Sequence, residues 1–333
     1  MQVLINIDDR SHVGDGRRAA ADFARSLSFD GTVAGNVALA LTEIATNILK
    51  HAGHGRILLR SLERDGVGGL EVLALDRGPG IAQLGASLRD GYSTAGGMGT
   101  GLGALSRISD SMEVFSQVGR GTAVRLEFWA RKLPQHREPC EIGAVCLPKP
   151  GEAVGGDSWA VEAGRGRYSV LVADGLGHGT DAARAARTAT EVFVKHSQHE
   201  PTEVLQFGHE ALRSTRGAAV AVARIDLGTG QGVFAGVGNI AARIETPASR
   251  RQLVSHNGTL GHALRKLQEF PFDFPAGGVL VLHSDGLSAH WALADYPGLM
   301  AKHPSLIAGV LYRDHDRGRD DVTVVVIKRG ADA

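Results

Sequence analysis

The sequence is poor in cysteine and carries no net charge, and each shortage excludes a class of protein. Only two cysteines, Cys140 and Cys146, occur in 333 residues. They form no CxxC pair, which argues against a disulfide scaffold or a zinc site and favours a reducing compartment. Basic and acidic residues number 36 each. No overall positive field therefore recruits nucleic acid or anionic lipid.

Targeting and membrane segments are also missing from the pattern. The first residues, MQVLINIDDR, do not combine a basic stretch with an apolar one, as a signal peptide does. No apolar run approaches the roughly 20 residues that cross a bilayer. We therefore expect a soluble, cytoplasmic protein that has neither a membrane nor a nucleic acid as its partner.

Glycine is abundant, with 45 residues, and hydrophobic residues make up 43% of the chain. The glycines cluster where apolar runs end, which indicates tight turns and close backbone approach rather than flexible tracts. The length predicts two domains. The charged, proline-containing stretch RKLPQHREPCEIG interrupts the apolar pattern. We predict domains at 1–132 and 142–330, joined by a linker at 133–141.

The first domain reads as strand, helix, helix, hairpin, loop, helix and hairpin. The helical spacing of Val37, Leu41, Ile44 and Ile48 predicts a long second helix over 33–53. This order predicts an α+β sandwich with helices on a mixed sheet. The second domain has eight or more short apolar strands, with helices expected at 180–197, 201–214 and 304–313. That pattern predicts packed antiparallel sheets covered by helices.

Three features of the first domain are candidate functional sites. Glu43 and Asn47 are four residues apart and share one helix face, where a simple hydrogen-bonded pair is the plainer interpretation. Asp76 ends a buried strand before Gly78 and Gly80, either as an ordinary turn or as a carboxylate positioned for an adenine amino group.

The third feature is the glycine-rich stretch GGMGTGLGALSRI, which leads into a helix. Backbone amides and a helix N-terminus suit phosphate. The stretch lacks the Gly-Lys-Ser/Thr of a Walker A loop, and no strand directly precedes it as in a Rossmann fingerprint.

In this order, TEIATNILKHAGHGRI, LDRGPGI and GMGTGLGAL resemble the N, G1 and G2 boxes of the GHKL (Bergerat-fold) ATPases, and within them the RsbT-type serine/threonine switch kinases. The resemblance covers nearly all of 1–132. It implies an ATP site with Mg²⁺ on Asn47, adenine on Asp76, and Glu43 as the base for a substrate hydroxyl. It further implies that Gly78 and Gly80 form the floor of the pocket. The phosphates would be wrapped by three glycines: Gly99, Gly101 and Gly103.

Acidic residues of the second domain stand at strand ends. Asp174 and Asp285 each close an apolar strand and precede glycine, whereas Asp157 and the Asp320–Asp321 pair begin one. Singly, such residues are more often turns than ligands. Together they predict converging carboxylates, which remain ionised side by side only with cations present. Oxygen-only ligands select Mg²⁺ or Mn²⁺. Two ions about 4 Å apart bind a phosphate and activate water, as in a phosphomonoesterase.

The ordered set, and VADGLGHGTDAARAA above all, is similar to the metal-dependent type 2C (PPM) serine/threonine phosphatases of the SpoIIE/RsbX branch. The resemblance implies an α-β-β-α sandwich and two Mn²⁺ or Mg²⁺ ions. Asp157, Asp174 and the Gly175 carbonyl would hold the first ion. Asp174, Asp285 and Asp320 would hold the second, with Asp320 preferred over Asp321.

We do not expect the histidines near the aspartates of the second domain to bind the metal ions. The arginine-bearing phosphate motif of the larger relatives is missing, so substrate phosphate would rest mainly on the metals. We expect His178 to lie in a loop at the rim of the site and His283 to be a packed core residue.

The sequence therefore predicts a bifunctional regulator of a bacterial partner-switching pathway. By resemblance, its kinase and phosphatase would act on Ser/Thr of STAS-domain antagonist or scaffold proteins upstream of a sigma factor. The alternative is a phosphatase alone, whose first domain senses nucleotide or binds a partner as an anti-sigma module.

Overall fold

The computed structural model describes residues 2–87, 101–134, 138–246 and 248–330. The chain divides into two compact units, at 1–136 and 137–333. The first unit has one sheet and one hydrophobic core, and the second has two sheets and two cores. Each is described in turn.

The first unit builds one five-stranded sheet in the order β1-β2-β3-β5-β4. Its described elements are β1 (Gln2–Ile7), α1 (Ser11–Ser26), α2 (Gly31–His51), β2 (Gly55–Arg64), β3 (Val67–Asp76), α3 (Leu84–Ser87), α4 (Gly101–Ile108), β4 (Ser111–Gln117) and β5 (Gly121–Trp129). The α+β fold class is confirmed. All of the described strand pairs are antiparallel, so the expected mixed sheet was wrong in this detail.

Helix α2 is positioned by a cap at its start and by one apolar face. The Asp30 carboxylate accepts a hydrogen bond from the Val33 amide at 2.8 Å, which satisfies one of the free donors at the helix N-terminus. The predicted apolar residues, including Leu41 and Ile44, are buried and belong to the core against the sheet. Phe23 of α1 is also fully buried in that core. The helical spacing therefore identified the correct face.

By length and composition, α2 also passes as a membrane-crossing helix, with a mean hydropathy of 1.3 over its most apolar window. This corrects the expectation that no apolar stretch reaches membrane length. The composition has another physical cause, because the apolar face of α2 packs in the core of the first unit. A core helix passes the same test.

A chain of buried ion pairs crosses β2, β3 and β5. Glu71 on β3 lies between two arginines, 2.9 Å from Arg60 Nη2 and 2.8 Å from Arg125 Nε. Arg125 also pairs with Glu127. Glu71 and Arg125 are only 2% and 3% exposed. At this burial water does not solvate the charges, so each charge is stabilised by its ion-pair partners.

The second unit contains two five-stranded sheets, in the orders β13-β10-β9-β8-β7 and β12-β11-β14-β15-β6. Its described strands are β6 (Cys140–Leu147), β7 (Asp157–Gly164), β8 (Arg167–Gly175), β9 (Ala218–Asp226), β10 (Gln231–Val237), β11 (Ala241–Glu245), β12 (Arg250–Leu253), β13 (Phe270–Asp273), β14 (Val279–His283) and β15 (Val322–Arg329). Its described helices are α5 (Thr180–His196), α6 (Pro201–Leu212) and α7 (Pro304–His315), with short 3₁₀ turns at Leu293–Asp295 and Leu299–Ala301.

These elements form four layers. One core fills the space between the two sheets and includes Phe234, Phe274 and Leu280. A second core joins α5 and α6 to the outer face of the β7–β10 sheet. On the opposite side α7 packs on β6 and β15, and a side chain at Gly143 would strike the backbone of Ser305. The predicted α-β-β-α sandwich is confirmed.

One boundary and two strands differ from expectation. Strand β6 begins at Cys140, inside the predicted linker, because Cys140 and Glu141 pair with the end of β15. Strands β12 and β13 were not predicted. The first is RRQL, which has no apolar alternation, and the second is FPFD, whose proline is tolerated because the strand lies at a sheet edge.

Glu71→Ala is expected to lower the free energy of unfolding of the full chain by about 3–5 kcal/mol, because it leaves two buried arginines without their shared counter-charge. Asp22→Ala is the control, since it removes one half of the exposed Asp22–Arg25 pair and surface pairs contribute little. Urea denaturation followed by circular dichroism measures both. Equal losses in the two variants would show that the buried chain of charges is not needed for stability.

Candidate functional site

Glu43 and Asn47 lie one turn apart on α2, and both are half-buried. They flank Ile44 and Ile48, which anchor the helix in the core. The plainer interpretation was a hydrogen bond between the two side chains. No such bond joins them in the described structure, so both polar groups are held at the edge of the core without satisfying each other.

Asp76, at the end of β3, has one carboxylate oxygen fixed by the backbone. Its Oδ1 atom accepts hydrogen bonds from the Gly78 amide at 2.8 Å and the Thr122 amide at 3.2 Å. Thr122 is the second residue of the neighbouring strand β5, and its hydroxyl lies 2.9 Å from Ser116 Oγ. Ser116 Oγ in turn accepts a bond from the Ile81 amide. The loop after β3 is therefore tied at both ends, and the Asp76 carboxylate is oriented before any ligand arrives.

The glycines of this loop are required by close packing. A Cβ at Gly78 would lie 2.8 Å from the Cβ of Ala52, which caps the C-terminus of α2. Gly80 has φ +75°, and a Cβ there would lie 2.3 Å from the Gln117 carbonyl oxygen. The loop thus joins the end of α2 to the β4–β5 turn. This brings the Asp76 segment against the helix that carries Glu43 and Asn47.

The structure describes only the end of the glycine-rich stretch that precedes α4. Gly101 and Gly103 lie in the first turn of α4, which begins at Gly101 rather than at Gly103. Gly99 lies outside the described residues. At Asp76 the oriented carboxylate and the fixed loop are compatible with the nucleotide site that the sequence predicts. The assignment of the phosphates to Gly99, Gly101 and Gly103 remains a prediction.

In the second unit, Asp157 and Asp174 face each other across β7 and β8. They are paired in the strand register, which places neighbouring side chains on the same side of the sheet. Asp157 Oδ2 accepts a hydrogen bond from Ser284 Oγ at 2.6 Å. Its other oxygen, Oδ1, is buried and has no hydrogen-bond partner among the described residues.

Burial raises the pKa of both carboxyl groups. For Asp157 desolvation is the largest cause, opposed by the Ser284 and Thr323 hydroxyl groups and reinforced by the charges of Asp321 and Asp285. For Asp174 desolvation comes first and the charge of Asp157 second, followed by Asp285 and Asp320. The aspartates thus lie within electrostatic range of one another, and their ionised forms need a nearby positive charge.

Asp285 and the Asp320–Asp321 pair come from the other sheet. Asp285 follows β14, and its Oδ2 accepts a bond from Asn239 Nδ2 at 2.8 Å. Asp321 is buried and binds the backbone, with the Lys149 amide on Oδ1 at 2.8 Å and the Gly156 amide on Oδ2 at 2.9 Å. Asp320 is exposed. Both carboxylate oxygens of Asp321 are therefore engaged in fixing a loop, which favours Asp320 as the ligand.

The carboxylate cluster fits a hard divalent cation. Its donors are all oxygen atoms, which Mg²⁺ and Mn²⁺ prefer, and the buried Asp157 Oδ1 has no other partner. In the described part of the chain, no three His, Cys, Asp or Glu side chains come close enough together to hold a metal ion. The aspartates therefore supply the type of donor that such a cation prefers, without a complete ligand shell among the described side chains.

The glycine and histidines near the cluster have distinct positions. Gly175 closes β8, and a Cβ there would lie 2.1 Å from the Ala182 carbonyl oxygen. His178 lies in the exposed loop that follows, with Nδ1 2.7 Å from Glu152 Oε1. His283 is buried. Its Nδ1 bonds the Ser284 carbonyl, Nε2 accepts from Trp291 Nε1, and burial lowers its pKa to about 4. It is the packed core histidine that was expected.

Comparisons with known proteins divide the chain in the same way. Residues 8–128 match the histidine kinase-like ATPase domain. The serine/threonine-protein kinase RsbT of Bacillus subtilis (strain 168) is 34% identical over 115 residues, which are 34% of this chain and 86% of RsbT. Residues 164–330 match the stage II sporulation protein E (SpoIIE) family. The chain belongs to the RsbT and SpoIIE families.

A further relative, RsbX, supports the SpoIIE unit by its sequence and by its crystal structure. The phosphoserine phosphatase RsbX of the same organism is 23% identical over 143 residues, which are 43% of this chain and 72% of RsbX. A crystal structure of RsbX with magnesium covers 59% of this chain and 98% of its own, at 20% identity and a TM-score of 0.54. At that identity the likeness shows a shared fold. The family assignments made from the sequence are confirmed, and both named relatives are enzymes.

Several site residues were missed by sequence reasoning. In the SpoIIE unit these are Ser284, which holds Asp157, and Asn239, which holds Asp285. In the RsbT-like unit they are Thr122 and Ser116, which hold Asp76 and its loop. Ser284 stands next to Asp285 in HSDG, and this adjacency was the available signal. The others lie on separate strands and carry no local signature.

Gly80→Ala is expected to destabilise the chain more than Gly66→Ala. Both glycines have positive φ, at +75° and +68°, so both variants incur the left-handed backbone penalty of about 1–2 kcal/mol. A Cβ at Gly66 meets nothing within 4 Å, whereas at Gly80 it collides with the Gln117 carbonyl. Urea denaturation should show at least twice the loss for Gly80→Ala. Equal losses would mean that the loop after β3 moves freely.

Proposed function

We propose that the protein is a bifunctional regulator of a bacterial partner-switching pathway, with an ATP-dependent Ser/Thr kinase in the RsbT-like unit and a metal-dependent phosphoserine/phosphothreonine phosphatase in the SpoIIE unit. The observation that carries the proposal is the pairing of Asp157 with Asp174 across β7 and β8, within electrostatic range of Asp285 and Asp320, in a chain that also has an RsbT-like unit. The proposed location is the cytoplasm.

In the SpoIIE unit the carboxylates would hold two Mn²⁺ or Mg²⁺ ions. Asp157, Asp174 and the Gly175 carbonyl are assigned to one ion, and Asp174, Asp285 and Asp320 to the other. When bound, these ions supply positive charge for a phosphate and make water nucleophilic near neutral pH. Ser284 and Asn239 would orient Asp157 and Asp285 through the hydrogen bonds described above.

In the RsbT-like unit, Asn47 would hold the Mg²⁺ of ATP and Asp76 would bind adenine. Glu43 would take the proton of a substrate hydroxyl, which requires hydrogen-bond reach and an ionised carboxylate. ATP supplies the phosphoryl group, and transfer depends on positioning and charge neutralisation rather than on a covalent enzyme intermediate. The oriented Asp76 carboxylate and the fixed loop after β3 support this assignment.

The proposed substrates are Ser or Thr residues of STAS-domain antagonist or scaffold proteins. Support comes from the two relatives, because RsbT is a serine/threonine kinase and RsbX a phosphoserine phosphatase. Opposed activities on one phosphosite would consume ATP without effect. We therefore propose that the two units use different phosphosites or regulate each other.

Two substitutions separate the activities. With candidate STAS proteins, ATP and Mg²⁺ or Mn²⁺, Glu43→Ala is expected to abolish phosphorylation and to leave dephosphorylation intact. Asp174→Ala is expected to do the reverse. Phosphate-affinity gels measure phosphorylation, and release of phosphate from a purified phosphoprotein measures dephosphorylation.

Each outcome has a defined meaning. Unchanged phosphorylation in Glu43→Ala, or unchanged hydrolysis in Asp174→Ala, would overturn the corresponding assignment. ATP binding by the wild-type chain without transfer to any candidate would favour the alternative, a phosphatase whose RsbT-like unit senses nucleotide or binds an anti-sigma partner. Circular dichroism spectra verify that both variants are folded.

Ser284→Ala is expected to weaken Mn²⁺ binding by about 10–100-fold, the usual effect of removing a group that orients a metal ligand. The substitution removes the donor to Asp157 Oδ2 and the acceptor of the Thr323 amide. Calorimetric titration of Mn²⁺ measures the affinity, and Ser288→Ala, four residues along the chain, serves as the control. An unchanged affinity in Ser284→Ala would separate this serine from the metal site.

A further inference from the structure

Arg216 lies at the same sheet edge as the carboxylate cluster. It stands just before β9, whose residues Ala218 and Ala219 pair with Gly175 and Asp174 in the strand register. The two segments are also joined beyond the strands, because the Leu176 amide donates to the Gly217 carbonyl at 3.0 Å. Arg216 is therefore one strand away from Asp174, at the end where the aspartates meet.

The guanidinium of Arg216 rests on the glycine-rich loop after Asp174. Its Nη2 lies 3.1 Å from Asp181 Oδ2, in the first turn of α5. A Cβ at Gly177 would lie 3.1 Å from its Nη1 atom. Gly177 thus leaves room for the guanidinium, and Asp181 fixes one side of it.

The backbone beneath Arg216 is held in place. Thr215 Oγ1 donates to the Leu212 carbonyl at 2.8 Å and accepts from the Gly217 amide at 3.0 Å. Gly217 has φ +81°, and a Cβ there would lie 2.6 Å from the Leu260 carbonyl oxygen. The turn therefore presents Arg216 from a fixed position, which lowers the entropic cost of ligand binding.

The ion pair between Arg216 and Asp181 contributes little to the stability of the fold. Arg216 and Asp181 are both 51% exposed, and exposed pairs contribute little to folding. The pair occupies one terminal nitrogen of a group with five N–H donors. The Nη1 side, which faces the Gly177 loop, has no other interaction in the described structure. A pair that orients a guanidinium while leaving donors exposed suits an anionic ligand.

We propose that Arg216 binds the phosphoryl oxygens of the substrate in the SpoIIE unit. This inference rests on the proposed phosphatase function and extends it, because phosphate binding had been expected to depend mainly on the metals. A phosphate monoester approaching four aspartates requires positive charge. The planar guanidinium matches two phosphate oxygens at once, which a lysine cannot do. Asp181 acts as a positioning residue for Arg216.

The test compares Arg216→Ala and Arg216→Lys with Arg213→Ala. Arg213 is a matched control, because it lies three residues away, is 63% exposed and pairs with Glu210 at 3.0 Å. With Mn²⁺ present, Arg216→Ala is expected to lower kcat/KM by about 10–100-fold, the range for a hydrogen bond to a charged group. Arg216→Lys should fall between it and the wild type, and Arg213→Ala should equal the wild type.

Two substrates and a binding measurement make the result decisive. The loss should appear with both p-nitrophenyl phosphate and a phosphoserine protein, since both present the same phosphoryl group. A loss confined to the protein substrate would make Arg216 a docking contact and overturn the proposal, as would unchanged kinetics. Calorimetric titration of inorganic phosphate in Mn²⁺ should show weaker binding by Arg216→Ala.

The calorimetric result does not depend on turnover. If the wild type hydrolyses neither substrate, the phosphatase assignment fails, but the comparison of phosphate affinities still decides the role of Arg216. Equal phosphate affinity in the wild type and Arg216→Ala would overturn the proposal. Circular dichroism and thermal melting should be unchanged in all three variants, because the ion pairs removed are exposed.

Discussion

The SpoIIE unit depends on one unfavourable arrangement, the convergence of aspartates at the edge of two sheets. Asp157 and Asp174 oppose each other across β7 and β8, where burial and mutual repulsion both raise their pKa values. Such an arrangement costs stability unless cations or hydrogen bonds offset it. The surrounding donors have this role: Ser284 binds Asp157, Asn239 binds Asp285, and backbone amides bind Asp321.

The RsbT-like unit also buries charged side chains, but it stabilises them in another way. Its buried charges are paired within the sheet, with Glu71 shared between Arg60 and Arg125. The proposed nucleotide residue Asp76 lies instead at the end of β3, where backbone amides orient its carboxylate. The paired charges support the fold, whereas Asp76 is held by the backbone at the end of a strand.

Much of this organisation could be predicted from the sequence. Helical spacing located α2 and its buried face, and apolar strands ending in Asp located Asp174 and Asp285. Both patterns are local, so one sequence contains them. The partners of those residues were not predictable in the same way. Ser284 bonds a residue 127 positions away, and only the packing of two sheets brings it there. Strand β12 was missed for a related reason, because tertiary pairing rather than its own pattern makes RRQL a strand.

The contact between Ser284 and Asp157 also links the two layers of the sandwich mechanically. Asp157 belongs to the β7–β10 sheet, while Ser284 lies between β14 and Asp285 on the other sheet, where its amide bonds the Thr323 carbonyl. A ligand bound by aspartates from both sheets would connect the two sheets at this end of the unit. Since close-packed interiors transmit strain, a shift of one sheet along the other would change the spacing of those aspartates. The affinity for such a ligand therefore depends on how the two sheets are aligned.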